Sequence, residues 1–125
     1  MNLLAFETAT EACSVALWID GRVLARHEVA PRRHAELALP WADALLAEAG
    51  LAKSQLDAIA CGRGPGAFTG VRLAVAITQG LGFALDRPVL GISTLAALAL
   101  AAPAESDEAI VAAIDARMGE VYLGE

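Results

Sequence analysis

Gly62-Arg63-Gly64-Pro65-Gly66-Ala67-Phe68-Thr69-Gly70-Val71-Arg72 stands between a strand-like apolar run, Ile59 to Cys61, and a long apolar helical stretch, Val71 to Leu85. A glycine-rich turn from strand into helix leaves bare backbone N–H groups at a helix N-terminus, where anions or a closely packed backbone are accommodated. A phosphate loop of the Gly-x-x-x-x-Gly-Lys-Ser/Thr kind is excluded, because no lysine follows a glycine in this chain. The dinucleotide spacing Gly-x-Gly-x-x-Gly fails as well, since Ala67 and Thr69 fall where its last glycine belongs. The stretch therefore reads first as a steric device for a sharp strand-to-helix turn. Gly64 and Gly66 are its secondary candidates for approach to a nucleotide phosphate.

Outward from that loop, the flanking segments set the architecture. Leu3 to Phe6 is a short apolar run, followed by the polar turn Glu7-Thr8-Ala9-Thr10-Glu11, in which Thr8 and Thr10 are the other candidate cofactor contacts. Cys13 to Ile19 is rich in strand formers and ends at Asp20-Gly21, a hairpin signal. Arg22 to Val29 returns as a third antiparallel strand. The pattern then turns helical from about His34 to Ala49, with Gly50 at the C′ position and Pro40 marking either a kink or a first helical residue. Leu37, Trp41, Ala44 and Leu45 form one stripe on this helix, and Leu39, Ala42 and Leu46 form another, so two burial partners are expected. Leu56 to Cys61 is a fourth strand leading into the glycine loop.

The second helix places its polar residues Arg72, Gln79 and Asp86 seven apart, in one line, and is otherwise apolar or small. Glycine inside a helix is unfavourable by about 1 kcal/mol relative to alanine, so Gly80 and Gly82 suggest close contact with a neighbour. Pro88 opens a fifth strand, Val89 to Ile92, and Ser93 or Thr94 is placed to cap a third helix running to about Ala101. After a polar connector, Ile110 to Ile114 and Glu120 to Leu123 read as a hairpin around Asp115 to Gly119. The order β-β-β-α-β-α-β-α predicts an α/β fold of ribonuclease-H-like type, a mixed sheet with helices on both faces. Residues 1–104 are expected to form this lobe. Residues 105–125 are expected to be a linker and the first hairpin of a second lobe that is absent or truncated.

Composition narrows the function classes. The chain has 125 residues, 57% of them hydrophobic, with a mean hydropathy of +0.54. The longest apolar stretch carries Arg72 and Gln79 and ends at Asp86, short of the roughly 18 residues a span needs. No signal peptide is read at Met1-Asn2-Leu3. An apolar excess of this kind implies surface covered by a partner. The net charge of −6 argues against a stand-alone nucleic-acid binder. The one basic cluster, Arg26, His27, Arg32, Arg33 and His34, reads as a solvated surface. Cys13 and Cys61 lie two strands apart, about 9 to 10 Å, beyond the roughly 7 Å limit for a disulfide. Reduced cysteines fit the cytoplasm.

No catalytic constellation emerges. Gly91-Ile92-Ser93-Thr94-Leu95 lacks the closing glycine of a nucleophile elbow, so Ser93 reads as a cap. His27 and His34 offer no i, i+4 pair for a metal. Glu7 and Glu11 are the weak candidates for an acid/base or metal pair.

Four ordered motifs carry a resemblance: Phe6-Glu7-Thr8-Ala9-Thr10-Glu11-Ala12-Cys13-Ser14-Val15-Ala16, the glycine stretch quoted above, Gly91-Ile92-Ser93-Thr94-Leu95, and Ala113-Ile114-Asp115-Ala116-Arg117-Met118-Gly119-Glu120-Val121-Tyr122. The chain resembles the TsaB (YeaZ) family over essentially its whole length. That resemblance implies one lobe of the acetate-kinase, Hsp70 and actin type. It also implies a subunit that works with the catalytic paralogue TsaD and the ATPase TsaE. Together these move a threonylcarbamoyl group onto the adenosine beside the anticodon of tRNAs reading A-starting codons.

TsaD-type members hold a metal through His-x-x-x-His after the fifth strand. The matching segment here is Thr94-Leu95-Ala96-Ala97-Leu98, in which neither Thr94 nor Leu98 replaces an imidazole. The family's usual aspartate is Glu7 here. The resemblance thus implies a pseudo-enzyme subunit without cofactor or metal, homodimeric when alone, with tRNA only as substrate of the complex and no membrane attachment. Its partner surface is expected on the first two helices, at Leu39, Trp41, Leu46, Val71, Ala74, Val75, Ala76 and Gly80. Two other readings stand beside it. One is a degenerate nucleotide-binding or metallopeptidase-like (glycoprotease) hydrolase using the Glu7 to Thr10 turn. The other is a tRNA-binding module through Arg32, Arg33 and His34.

Overall fold

Alternating apolar residues flatten the first thirty residues into strands, because a period of two places every second side chain on one face. The computed structural model describes residues 1–30 and 33–93, and the backbone of residues 112–117 and 120–124. Strand β1 is Asn2–Glu7, β2 is Ala12–Ile19 and β3 is Arg22–Val29. The β2–β3 turn has positive φ at both Asp20 (48°) and Gly21 (80°), the backbone a two-residue hairpin of matching twist requires. Helix α1 is His34–Ala49, β4 is Ala58–Gly62, α2 is Phe68–Leu85 and β5 is Val89–Ile92. A short 3-10 turn, Lys53–Gln55, leads into β4.

The sheet order is β3-β2-β1-β4-β5. The β1–β2 and β2–β3 pairs are antiparallel, whereas β1–β4 and β4–β5 are parallel. This mixed five-stranded sheet with its helices is the α/β class expected from the sequence. A separate two-stranded antiparallel sheet joins β6, Ala112–Arg117, to β7, Glu120–Gly124.

Register shows where the core lies. Leu4 faces Leu17 and Ile59 on its neighbours, and Phe6 faces Val15 and Cys61, so all six share one face. They join Ala38, Ala42, Leu45 and Leu46 of α1 and Ala74 of α2 in a single buried cluster. Val89, the register partner of Ile59, meets Gly82 of α2. Both helices therefore cover the same face. Between β2 and β4 lies β1, so buried Cys13 and Cys61 are free, as their spacing predicted. Burial, and then the charge of Glu28, pushes the Cys13 thiol up.

Several expectations shift. Pro40 lies inside α1 rather than at its start. Instead of two stripes, α1 buries one face, and Leu39 is left 43% exposed. β4 begins at Ala58, because Leu56 belongs to the preceding turn, where it is buried. β6 extends through Arg117, taking in the first three residues of the expected turn with a register shift between Asp115 and Arg117, while Met118 and Gly119 lie outside the described residues. Helix α2 starts at Phe68, not Val71, and its 18 residues are long and apolar enough, by length and composition alone, to span a bilayer. One side of it nevertheless packs on the sheet through Ala74, Thr78 and Gly82. The expected third helix, Ser93 or Thr94 to about Ala101, and the segment Thr94–Leu98 lie outside the described residues apart from Ser93 itself.

Candidate functional site

Three backbone segments converge at the carboxyl ends of β1 and β4: the turn after β1, the glycine loop, and the first turn of α2. The Ala67 N–H donates to the Ala9 carbonyl at 2.7 Å. The Thr8 hydroxyl donates to the Gly70 carbonyl. A side chain on Gly70 would overlap the Thr8 carbonyl oxygen, and one on Gly66 would sit 2.5 Å from the Ala9 carbonyl oxygen. These glycines are thus required by close approach of the chain to itself. The space a phosphate would take beside them holds the Thr8–Ala9 backbone, and both those residues are buried.

The four candidate cofactor residues fare differently in this packing. Thr8 is buried with its hydroxyl engaged. Gly66 is covered by Ala9, and Gly64 is buried at φ 91° with Val71 methyls against it. Thr10 is exposed, and its hydroxyl accepts from the Ala12 N–H at 3.2 Å, closing its own turn. The structure packs Thr8 against Gly70, Gly66 against Ala9, and Gly64 against Val71.

The carboxylates and the basic cluster are also placed. The Glu7 side chain lies over Gly62 of β4, where any side chain would overlap it. Glu11 is exposed, and its carbonyl accepts from the Ala30 N–H at 3.0 Å. Among the described residues no three of His, Cys, Asp and Glu gather where a metal ion would fit. Arg26 pairs with Glu48 at 3.5 Å and Arg33 with Glu36 at 3.6 Å. His27 Nδ1 meets the Ser14 hydroxyl at 2.6 Å. Arg32 lies outside the described residues.

The helices carry the second candidate region. Leu46 and Ala74, two of the expected partner contacts, point into the core, because the sheet covers that side of each helix. Trp41, Val71 and Val75 are half-buried; Leu39, Ala76 and Gly80 are exposed. Sequence reasoning missed the largest outward groups, Phe68 at 72% exposure and Phe83 at 92%. The period of the helix carries the signal for Phe83, which lies two turns beyond Ala76 on the same line. At the N-terminal end, Phe68, Thr69, Arg72 and Leu73 line a shallow open hollow. The Arg72 guanidinium stacks 4.5 Å above the Phe68 ring there. From Leu73 to Leu85 α2 has no charged residue. Among the described residues, this outer face of α2 is apolar apart from Arg72 and Gln79.

Comparison with known proteins identifies relatives of the whole chain. A family model described as TsaD, tRNA N6-adenosine threonylcarbamoyltransferase, matches residues 26–125. The chain is 48% identical to the tRNA threonylcarbamoyladenosine biosynthesis protein TsaB of Escherichia coli (strain K12), over 100% of this chain and 54% of that protein. It is 52% identical to the protein of the same name from Haemophilus influenzae, over 100% of this chain and 53% of that protein. A solved structure described as YeaZ from Pseudomonas aeruginosa superposes with a TM-score of 0.91 at 60% identity, over 98% of this chain and 58% of that one. The chain spans about half the length of the curated relatives it matches.

Proposed function

The chain belongs to the TsaB (YeaZ) family, within the wider family of the TsaD model, and from that premise we propose that it serves tRNA threonylcarbamoyladenosine biosynthesis as a non-catalytic, cytoplasmic partner subunit. In this reading it docks on a TsaD-type catalytic paralogue, with a TsaE-type ATPase joining through the complex, and pairs with a second copy when alone. Residues 1–104 act as the docking lobe, and residues 105–125 lead toward a second lobe. The observation that carries the reading is the outer face of α2, where Phe83 is 92% exposed beside Ala76 and Gly80. A large aromatic next to small residues is the composition of an interface anchor and its receiving notch. The filled glycine loop supports the absence of a catalytic nucleotide site, since its glycines face the chain's own Thr8 and Ala9.

The test is affinity for the TsaD-type paralogue, measured by calorimetry. Phe83→Asp is expected to weaken binding by about 30-fold or more, the scale of a lost interface anchor. Its melting temperature should stay at the wild-type value, because Phe83 stands outside the core cluster of the described residues. Wild-type affinity in this variant overturns the docking surface. Stoichiometric nucleotide binding that is lost in Thr8→Ala would instead favour the degenerate nucleotide-binding reading.

A further inference from the structure

The turn Thr8–Ala12 is held from three sides by elements far apart in sequence. From α1, the His34 imidazole places Nε2 2.8 Å from the Thr10 carbonyl oxygen and 3.2 Å from the Ala12 carbonyl oxygen. Both partners are acceptors only, so Nε2 carries the proton and donates to the pair. From the end of β3, Ala30 N–H donates to the Glu11 carbonyl at 3.0 Å. From the start of α2, the N–H of the N-cap residue Ala67 donates to the Ala9 carbonyl, and the Gly70 carbonyl accepts from the Thr8 hydroxyl. The Gly66 and Gly70 contacts leave no slack between turn and helix. His34, at the first residue of α1, and Gly70, in the first turn of α2, are thereby joined through five residues of one turn.

We propose that this turn is a clasp setting the first turn of α2 relative to α1, and that His34 is its positioning residue. His34 is half-buried and stands outside the core cluster, so its role is directional rather than one of packing. Its imidazole orients the turn, the turn orients Ala67 and Gly70, and these aim Phe68 and Arg72 outward. The clasp rests on the docking reading for its functional consequence, because the hollow around Phe68 and Arg72 belongs to that face. No residue of the clasp is itself part of the exposed α2 surface.

Amide hydrogen exchange of the chain alone and its affinity for the TsaD-type paralogue test the clasp together, in wild type, His34→Ala and His34→Gln. In His34→Ala, the Ala67 and Val71 amides should exchange about fivefold to tenfold faster, the effect of losing one hydrogen bond's stabilisation. Amides of Leu81 to Leu85 should stay within about twofold. Partner affinity should fall by the same fivefold to tenfold. His34→Gln keeps an N–H donor and should restore both readouts. Unchanged exchange at Ala67 and Val71, or equal acceleration along all of α2, overturns the clasp. So does wild-type affinity in His34→Ala when Phe83→Asp abolishes binding. If Phe83→Asp also binds normally, the docking reading has failed instead, and the exchange pattern alone decides the clasp.

Discussion

Helices α1 and α2 cover the same face of one sheet, yet they present opposite outer surfaces to solvent. The outside of α1 carries Glu36, Asp43 and Glu48, each ion-paired to Arg33, Lys53 or Arg26 across a half-exposed contact. The outside of α2 carries Phe68, Ala76, Gly80 and Phe83, with Arg72 and Gln79 as its polar members. Both helices pack small and apolar residues on the sheet beneath them, α1 over β2 and β3 and α2 over β4, β1 and β5. Folding of this lobe therefore explains the inner face of each helix and the outer face of α1, but not the outer face of α2. That surplus, seen among the described residues, is what the proposed docking rests on.

The same contrast recurs among the glycines of α2, and it is open to direct attack. Gly70→Ala forces a methyl group into the Thr8 carbonyl, where only backbone can give way. It should destabilise the chain by about 3 kcal/mol or more, read as a lower urea midpoint. Among the described residues Gly80 has nothing within 4 Å of where its side chain would begin, whereas at Gly82 a side chain would overlap Val89. Gly80→Ala should therefore stabilise the isolated chain by about 0.5 to 1 kcal/mol through helix propensity. A destabilising Gly80→Ala would mean that this face is already packed within the lobe. On α1, Glu48→Ala removes an ion pair between half-exposed groups and should move stability by less than about 0.5 kcal/mol. A loss well beyond that would erase the distinction between a solvated, ion-paired α1 exterior and an apolar α2 exterior.

Much of this architecture was legible in the residues. Period-two alternation set Arg22–Val29 to the residue, and the helical period with Gly50 set His34–Ala49. Both signals are local: a strand or a helix cap is chosen within a few residues of chain. The start of α2 was less legible, because Phe68-Thr69-Gly70 has no capping side chain and a glycine where helices usually weaken. Its first turn is stabilised instead from the turn after β1, some 60 residues earlier in the chain. The outward position of Phe83 was readable from its spacing to Ala76. The inward position of Leu46 and Ala74 was not, since a helix with apolar residues on several sides has no unique buried face until a sheet selects one.

From sequence alone came the strand and helix order, the free cysteines, the reading of the glycine stretch as a steric turn, and the likeness to a family. Each follows from short-range pattern or from motifs that survive as written. The tertiary structure alone decided which glycines are filled by which backbone. It also decided that His34 reaches two carbonyls across the β1–β2 turn, and that the most exposed helical aromatics, Phe68 and Phe83, lie on α2, whereas α1 exposes Leu39. Those facts depend on which segments the sheet brings within contact distance, and periodicity within one segment carries no information about what lies against it.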